Sequence, residues 1–217
     1  MIKAVIFDLD GTLVDSIADL CNSSNFALKK YGFPQHELYK YNYFVGNGMT
    51  NLIERVIPKE ALNKETFQKV YDAFIEHYSS NYLVNTAPFD GIKESLKTLK
   101  ENGILLAVLS NKKDEFTKRI AKVLFGDLFD IVSGKKEGNP LKPDPASTLD
   151  ILNRFGVSPS ECAFLGDSGV DMETAVNSGC VPVGVLWGLR TEDELKNSGA
   201  KHLIHNPTEI APFILGI

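Results

Sequence analysis

Residues 162–179, CAFLGDSGVDMETAVNSG, pack three signals into one stretch. Cys162–Gly166 is apolar and too short for a typical helix, as expected of a strand buried on both faces. Residues 171–179 carry a helical pattern that stops at Gly179, a residue suited to a left-handed C-terminal cap. Between them lies a turn holding Asp167 and Asp171. A strand, a short acidic turn and a helix form the repeating unit of an open α/β sheet.

Working outward, the unit recurs. Residues 2–7 (IKAVIF), 104–110 (ILLAVLS), 129–133 (FDIVS) and 181–185 (VPVGV) are further short apolar runs, and 202–205 (HLIH) is a weaker edge candidate. Helical patterns separate them. Over 90–103, Ile92, Leu96 and Leu99 share a face ahead of Gly103; over 145–156, Pro145 suits a first turn and Gly156 a stop. The spacing predicts a doubly wound, mostly parallel sheet with helices on both faces.

One segment breaks the alternation. From Ser16 to Tyr82 the pattern is helical, with no convincing strand. Its clearest helix is 64–83, where Phe67, Val70, Tyr71, Phe74, Ile75 and Tyr78 form one stripe behind Asn63 as N-cap. The expected organisation is an α/β core of residues 1–15 and 83–217 with a helical subdomain, 16–82, inserted after the first strand. Tyr39, Tyr41, Tyr43 and Phe44 read as cap core, or as the surface of a homodimer if the chain is not a monomer.

The 217 residues are 43% hydrophobic and 24% charged, with a net charge of −5 and no block of Lys or Arg, so nucleic acid and anionic membranes are not expected partners. Cys21, Cys162 and Cys180 are odd in number and unpaired by spacing, which suits a reducing, cytoplasmic setting. No signal peptide precedes the first strand pattern, and no apolar run reaches the ~18 residues of a membrane span.

In a parallel sheet, ligands collect at the carboxyl ends of the strands. There the sequence places Asp8-Leu9-Asp10-Gly11-Thr12, Ser110-Asn111-Lys112, and Asp167 with Asp171, while Lys142 sits in a Pro-bounded loop. Carboxylates clustered without a cation repel, so hard oxygen ligands in this arrangement imply Mg²⁺. A carboxylate can attack phosphorus, and a second one two residues on can move the proton. The Ser110 hydroxyl, nearby N–H groups and the Lys142 ammonium suit the transferring oxygens. Two rival readings fail. Asp8-x-Asp10-Gly11 lacks the EF-hand glycine at its sixth position, Leu13. Gly166-Asp167-Ser168-Gly169 looks like a serine-protease loop, but His36, His77, His202 and His205 have no triad context.

Together, 8-DLDGT-12, 109-LSN-111, Lys142 before Pro143, and 166-GDSGVD-171 resemble the four motifs of the haloacid dehalogenase superfamily of phosphatases, in order and across essentially the whole chain. The likeness implies a Rossmann-like core with a C1-type cap, and roles for each residue. Asp8 would be nucleophile and Mg²⁺ ligand. Asp10 would be the general acid and base and bind the metal through its carbonyl. Thr12 would support Asp10, with Gly11, Thr12, Ser110 and Asn111 around the phosphate. Lys142 would offset the charge on the nucleophile and phosphoryl group. Asp167 would ligate the metal, and Asp171 would order its water shell.

Branches of the superfamily separate by residue. An acid at position 10 favours phosphoryl transfer over dehalogenation, and Leu20 stands where the β-phosphoglucomutase branch has a histidine. Residues 44–53 (FVGNGMTNLI), 171–179 and 184–195 (GVLWGLRTEDEL) resemble bacterial phosphoglycolate phosphatases, so a small phosphorylated metabolite is the expected substrate. Pyrophosphate and sugar phosphates are the alternatives. A phosphoryl-accepting receiver domain is the rival of another class, opposed by the cap and by Asp10. In the cap, Gly46-Asn47-Gly48 suits close backbone approach to a ligand, and Arg55 suits a substrate carboxylate.

Overall fold

The computed structural model describes residues 1–217. In chain order it contains β1 (Ala4–Phe7), β2 (Val14–Asp15), α1 (Ile17–Lys30), α2 (Tyr41–Phe44), α3 (Gly48–Val56), α4 (Lys64–Asn81), β3 (Ala87–Pro88), α5 (Ile92–Glu101) and β4 (Leu105–Lys113). There follow α6 (Asp114–Phe125), β5 (Ile131–Lys135), α7 (Ala146–Phe155), β6 (Cys162–Gly166), α8 (Gly169–Ser178), β7 (Val181–Val185), α9 (Glu192–Asn197), β8 (His202–Ile204) and α10 (Ile210–Gly216).

Six strands form a parallel sheet in the order β5-β4-β1-β6-β7-β8. The chain builds outward from β1 through β4 to β5, then returns to the other side of β1 for β6, β7 and β8. The order therefore reverses at β1, where a crevice opens at the carboxyl ends of the strands.

Both faces of the sheet are covered, which is why its strands read as continuous apolar runs. Val5, Phe7, Leu106, Val108, Leu165 and Val183 pack on one side with Ile92, Leu96 and Leu99 of α5 and Ile210 and Ile214 of α10. Ala4, Ile6, Ala107, Leu109 and Phe164 pack on the other with Ile151 and Leu152 of α7 and Ala175 of α8. Each large aliphatic or aromatic side chain buried this way contributes about 1.5–3 kcal/mol. A third cluster, from Ile17 to Tyr78, belongs to the helices between β2 and β3 and takes in Phe116 of α6. In α4, Asn63 Oδ1 accepts the Thr66 N–H at 3.0 Å, and Val70, Phe74 and Tyr78 are buried along one stripe.

Several details depart from the sequence reading. Strand β4 runs to Lys113 rather than ending at Ser110, because its polar last residues belong to the crevice and not to the core. Strand β5 starts two residues later than 129: the Asp130 N–H donates to Leu106 O at 2.8 Å, but the Leu106 N–H is taken by Asp130 Oδ2 at 2.8 Å instead of by a strand carbonyl. The two-stranded antiparallel ribbon of β2 and β3, joining cap to core, is too short to leave a period, and the reading assigned no helix at α6, α9 or α10. Tyr41 is fully buried while Tyr39 and Tyr43 are exposed. No helix is long and apolar enough to cross a membrane.

Candidate active site

The crevice is floored by the ends of β1, β4 and β6. The Asp8 N–H donates to Leu165 O at 2.9 Å, which carries the ladder one residue past β1 and fixes the side chain at the strand mouth. Asp167 follows β6 directly, and Asp171 opens α8. Each of Asp8, Asp167 and Asp171 brings a carboxylate oxygen within 4.8 Å of the other two.

Lys142 Nζ lies 2.7 Å from Asp8 Oδ1 and 2.7 Å from Asp171 Oδ1. The other Asp171 oxygen accepts the Ser168 N–H at 3.1 Å and the Ser168 hydroxyl at 2.6 Å. Ser168 is thus the N-cap of α8, in a capping box with Asp171, and donates its proton to a carboxylate. No base is arranged beside it: His36 Nε2 meets Val56 O, and His77 Nδ1 meets Ser23. Asp167 Oδ1 accepts the Thr12 hydroxyl at 3.1 Å, and Asp167 Oδ2 accepts the Leu189 N–H at 2.8 Å. Gly11 has φ 88°, and a Cβ there would collide with the Asp167 carboxylate, so only glycine passes this close.

Three buried carboxylates face one ammonium. Burial pushes Asp8 up to about 7 against the opposing pull of Lys142. Burial first, then repulsion from Asp171 and Asp8, pushes Asp167 up to about 8. When all three acids are ionised, two negative charges lack a counter-charge, a deficit that one divalent cation offsets. The donor set is all oxygen, which suits a hard cation.

Asp10 is held apart from this cluster. Lys112 Nζ donates to both Asp10 oxygens at 2.8 Å, and Ser16 Oγ donates to Asp10 Oδ1 at 2.5 Å. The Lys112 ammonium also lies 5.2 Å from the centroid of the Tyr78 ring on α4. Opposite charge from Asp10 more than offsets burial and keeps this lysine firmly protonated. Sequence reasoning gave Lys112 no role, although it sits next to Ser110-Asn111; a lysine at the end of an apolar run looks like a solvated flank.

The remaining groups close the crevice. Asn111 Nδ2 donates to Gly46 O at 3.3 Å and Lys142 O at 3.2 Å, while Asn111 Oδ1 accepts the Lys142 N–H at 2.9 Å. Residues 187–190 bind three parts at once: Trp187 Nε1 donates to Thr12 O at 3.0 Å, Leu189 N to Asp167, and Arg190 Nη2 to Val45 O at 2.9 Å. A cavity of about 30 Å³ is left between core and cap. Its floor is Asp8, Asp10, Ser110, Asn111 and Lys112, and its roof is Leu20, Val45, Gly46, Gly48, Met49 and Leu52.

Of the cap residues picked from sequence, Gly46 and Gly48 line this cavity, whereas Asn47 and Arg55 do not. Arg55 instead donates to Tyr43 O at 3.2 Å, Phe44 O at 2.9 Å and Asn47 Oδ1 at 3.2 Å, bracing the loop from outside.

Comparison with known proteins fits this geometry. Residues 5–185 match the family model described as haloacid dehalogenase-like hydrolase. The phosphoglycolate phosphatase of Aquifex aeolicus is 32% identical over 188 residues, covering 86% of this chain and 85% of its own. That of Mannheimia succiniciproducens is 35% identical, covering 86% of each. A crystal structure from Lactobacillus delbrueckii, assigned as a phosphoglycolate phosphatase, superposes with a TM-score of 0.93 at 31% identity over 99% of both chains. The chain belongs to the haloacid dehalogenase-like hydrolase family.

Proposed function

We propose that this protein is a Mg²⁺-dependent phosphatase of small phosphate monoesters, with 2-phosphoglycolate its leading substrate. The carrying observation is the buried Asp8–Asp167–Asp171–Lys142 cluster, with Asp10 beside it, under a roofed cavity. Asp8 and Asp167, with the Asp10 main-chain carbonyl, would hold the metal, which supplies positive charge to the phosphoryl oxygens.

The side chains then divide the reaction. Asp8 attacks phosphorus, forming an aspartyl-phosphate as the ester P–O bond breaks. Asp10 gives a proton to the departing oxygen and later takes one from the water that cleaves the aspartyl-phosphate. The Ser110 hydroxyl, the Asn111 N–H and Lys142 hold the transferring oxygens. Asp171 and Asn111 position Lys142 through its ammonium and its main chain.

The cavity favours small substrates: at about 30 Å³ it holds two or three water-sized groups, so even 2-phosphoglycolate enters only as the roof lifts. The names of the relatives support phosphoglycolate within that class. The test is phosphate release with Mg²⁺ across 2-phosphoglycolate, pyrophosphate, several sugar phosphates and a nucleotide. A kcat/KM for phosphoglycolate well above the rest is expected. A pyrophosphate peak or a flat profile overturns the substrate, and no release from any compound overturns the phosphatase reading.

A further inference from the structure

We propose that Lys112, on the core side of the cavity, recognises an acidic group on the leaving portion of the substrate, so that selectivity for a carboxylate-bearing monoester is set by β4 rather than by the cap. The inference rests on the phosphatase reading above and names the group that reads its substrate.

The first ground is the roof. Leu20, Val45, Met49 and Leu52 are aliphatic or thioether side chains, and Gly46 and Gly48 have none. No cap side chain facing the cavity carries a charge or a strong hydrogen-bond donor. A carboxylate entering such a space needs a donor, because an unpaired buried charge is strongly unfavourable.

The second ground is elimination among the cations. Lys142 is committed to Asp8 and Asp171. Arg55 is committed to the 43–47 loop outside the cavity. Arg190 donates to Val45 O and meets Glu194 through Nε at 3.3 Å, and although its buried Nη1 has no partner, Arg190 does not line the cavity. Lys112 is the one cationic side chain lining the cavity, and its side chain is 2% exposed.

The third ground is order along the floor. A phosphorus in line with Asp8 puts its ester oxygen at Asp10, which must reach that oxygen to protonate it. Lys112 is bonded to Asp10 on both oxygens, so the next group out from the ester oxygen meets the ammonium. An ammonium has three N–H donors, and Asp10 takes two. Tyr78 packs behind the ammonium and does not line the cavity. A carboxylate one carbon from the ester oxygen supplies an acceptor for the remaining N–H of Lys112.

The test compares 2-phosphoglycolate with its carboxamide, an ester of the same size without the charge. Wild type is expected to prefer the acid by about 10- to 100-fold in kcat/KM, as for a hydrogen bond to a charged group. Lys112→Met should remove most of that preference, chiefly through KM for the acid, and Lys112→Arg should keep part of it. Thermal unfolding checks that the variants fold, and the wild-type ratio needs no variant. An equal loss on acid and amide would show that Lys112 serves Asp10 alone and overturn the proposal. So would a wild type indifferent to the charge. Wild type that hydrolyses neither ester nor p-nitrophenyl phosphate would instead sink the phosphatase reading beneath it.

Discussion

The floor and the roof of the cavity are built on different principles. The floor and the layer beneath it are polar and cross-braced: Asp8, Asp10, Asp167, Asp171, Lys112 and Lys142 are held by ion pairs and by bonds to Thr12, Ser16, Ser168 and Leu189. The roof is apolar and reaches the floor through few polar contacts, among them Asn111 to Gly46 O and Arg190 to Val45 O. A charged floor demands fixed atoms, since its energies fall steeply with misplacement. An aliphatic roof demands only shape. On the reading proposed above, reaction chemistry and recognition of charge belong to the floor, and only steric fit to the roof.

The sharpest way to break this contrast is Asp8→Asn. A floor that performs the reaction loses more than ~10⁴-fold in kcat with its fold unchanged by circular dichroism. Full residual activity in pure variant refutes Asp8 as nucleophile.

Metal and pH test the floor through stability. The Asp8 and Asp167 carboxyls stand at about 7 and about 8, above their unfolded value of 3.8, so burial favours their protonated forms. That contribution is fully present below about pH 4 and is lost as pH rises through 7 to 8. Metal-free protein should show a falling Tm between about pH 5 and pH 8. Mg²⁺ should restore several degrees at the upper end and little at the lower, because ligation needs ionised carboxylates. A Tm indifferent to Mg²⁺ at pH 8 counts against a metal at this cluster.

The roof is probed by Gly48→Ala. Gly48 has φ 84°, and a Cβ there would sit 3.0 Å from Asn111 O. The strain of about 1–2 kcal/mol should lift the roof loop and raise KM roughly tenfold, with kcat on p-nitrophenyl phosphate little changed. A kcat collapse of equal size would show that roof and floor are not separable.

The smallest effect is expected at Arg55. With its guanidinium outside the cavity, Arg55→Met should change kcat/KM by less than about threefold and stability by about 1 kcal/mol. A loss confined to carboxylate substrates and exceeding about tenfold would move substrate recognition from floor to roof.

The same contrast explains what could be read from the sequence. Asp8, Asp10, Ser110, Asn111, Lys142, Asp167 and Asp171 lie at strand ends or on the loop beside them, and strands betray themselves as apolar runs. Counting to the end of each run finds the acids and the serine. Asp167 was legible because 162–166 leads straight to it. Lys112 was not, since a polar residue just past an apolar run gives no sign of turning inward; only the fold shows it within β4 and 2.8 Å from Asp10. The cap followed the opposite logic. Its longest helix, α4, was clear from its stripe, but Arg55 looked like an anion receptor because charge in a sequence carries no direction. The exposed Tyr43 and the buried Tyr41 are likewise two residues apart on one short helix, with nothing in their identities to separate them.

The segment 187–190 has a consequence of its own. Within four residues it grips Thr12, Asp167 and Val45, so its length is measured against three fixed points. One inserted residue adds up to about 3.3–3.6 Å of chain, more than the reach of a hydrogen bond. Most surface loops tolerate such drift. Here a single added residue would release either the cap or Asp167, and insertions in this stretch should be as damaging as the loss of a floor carboxylate.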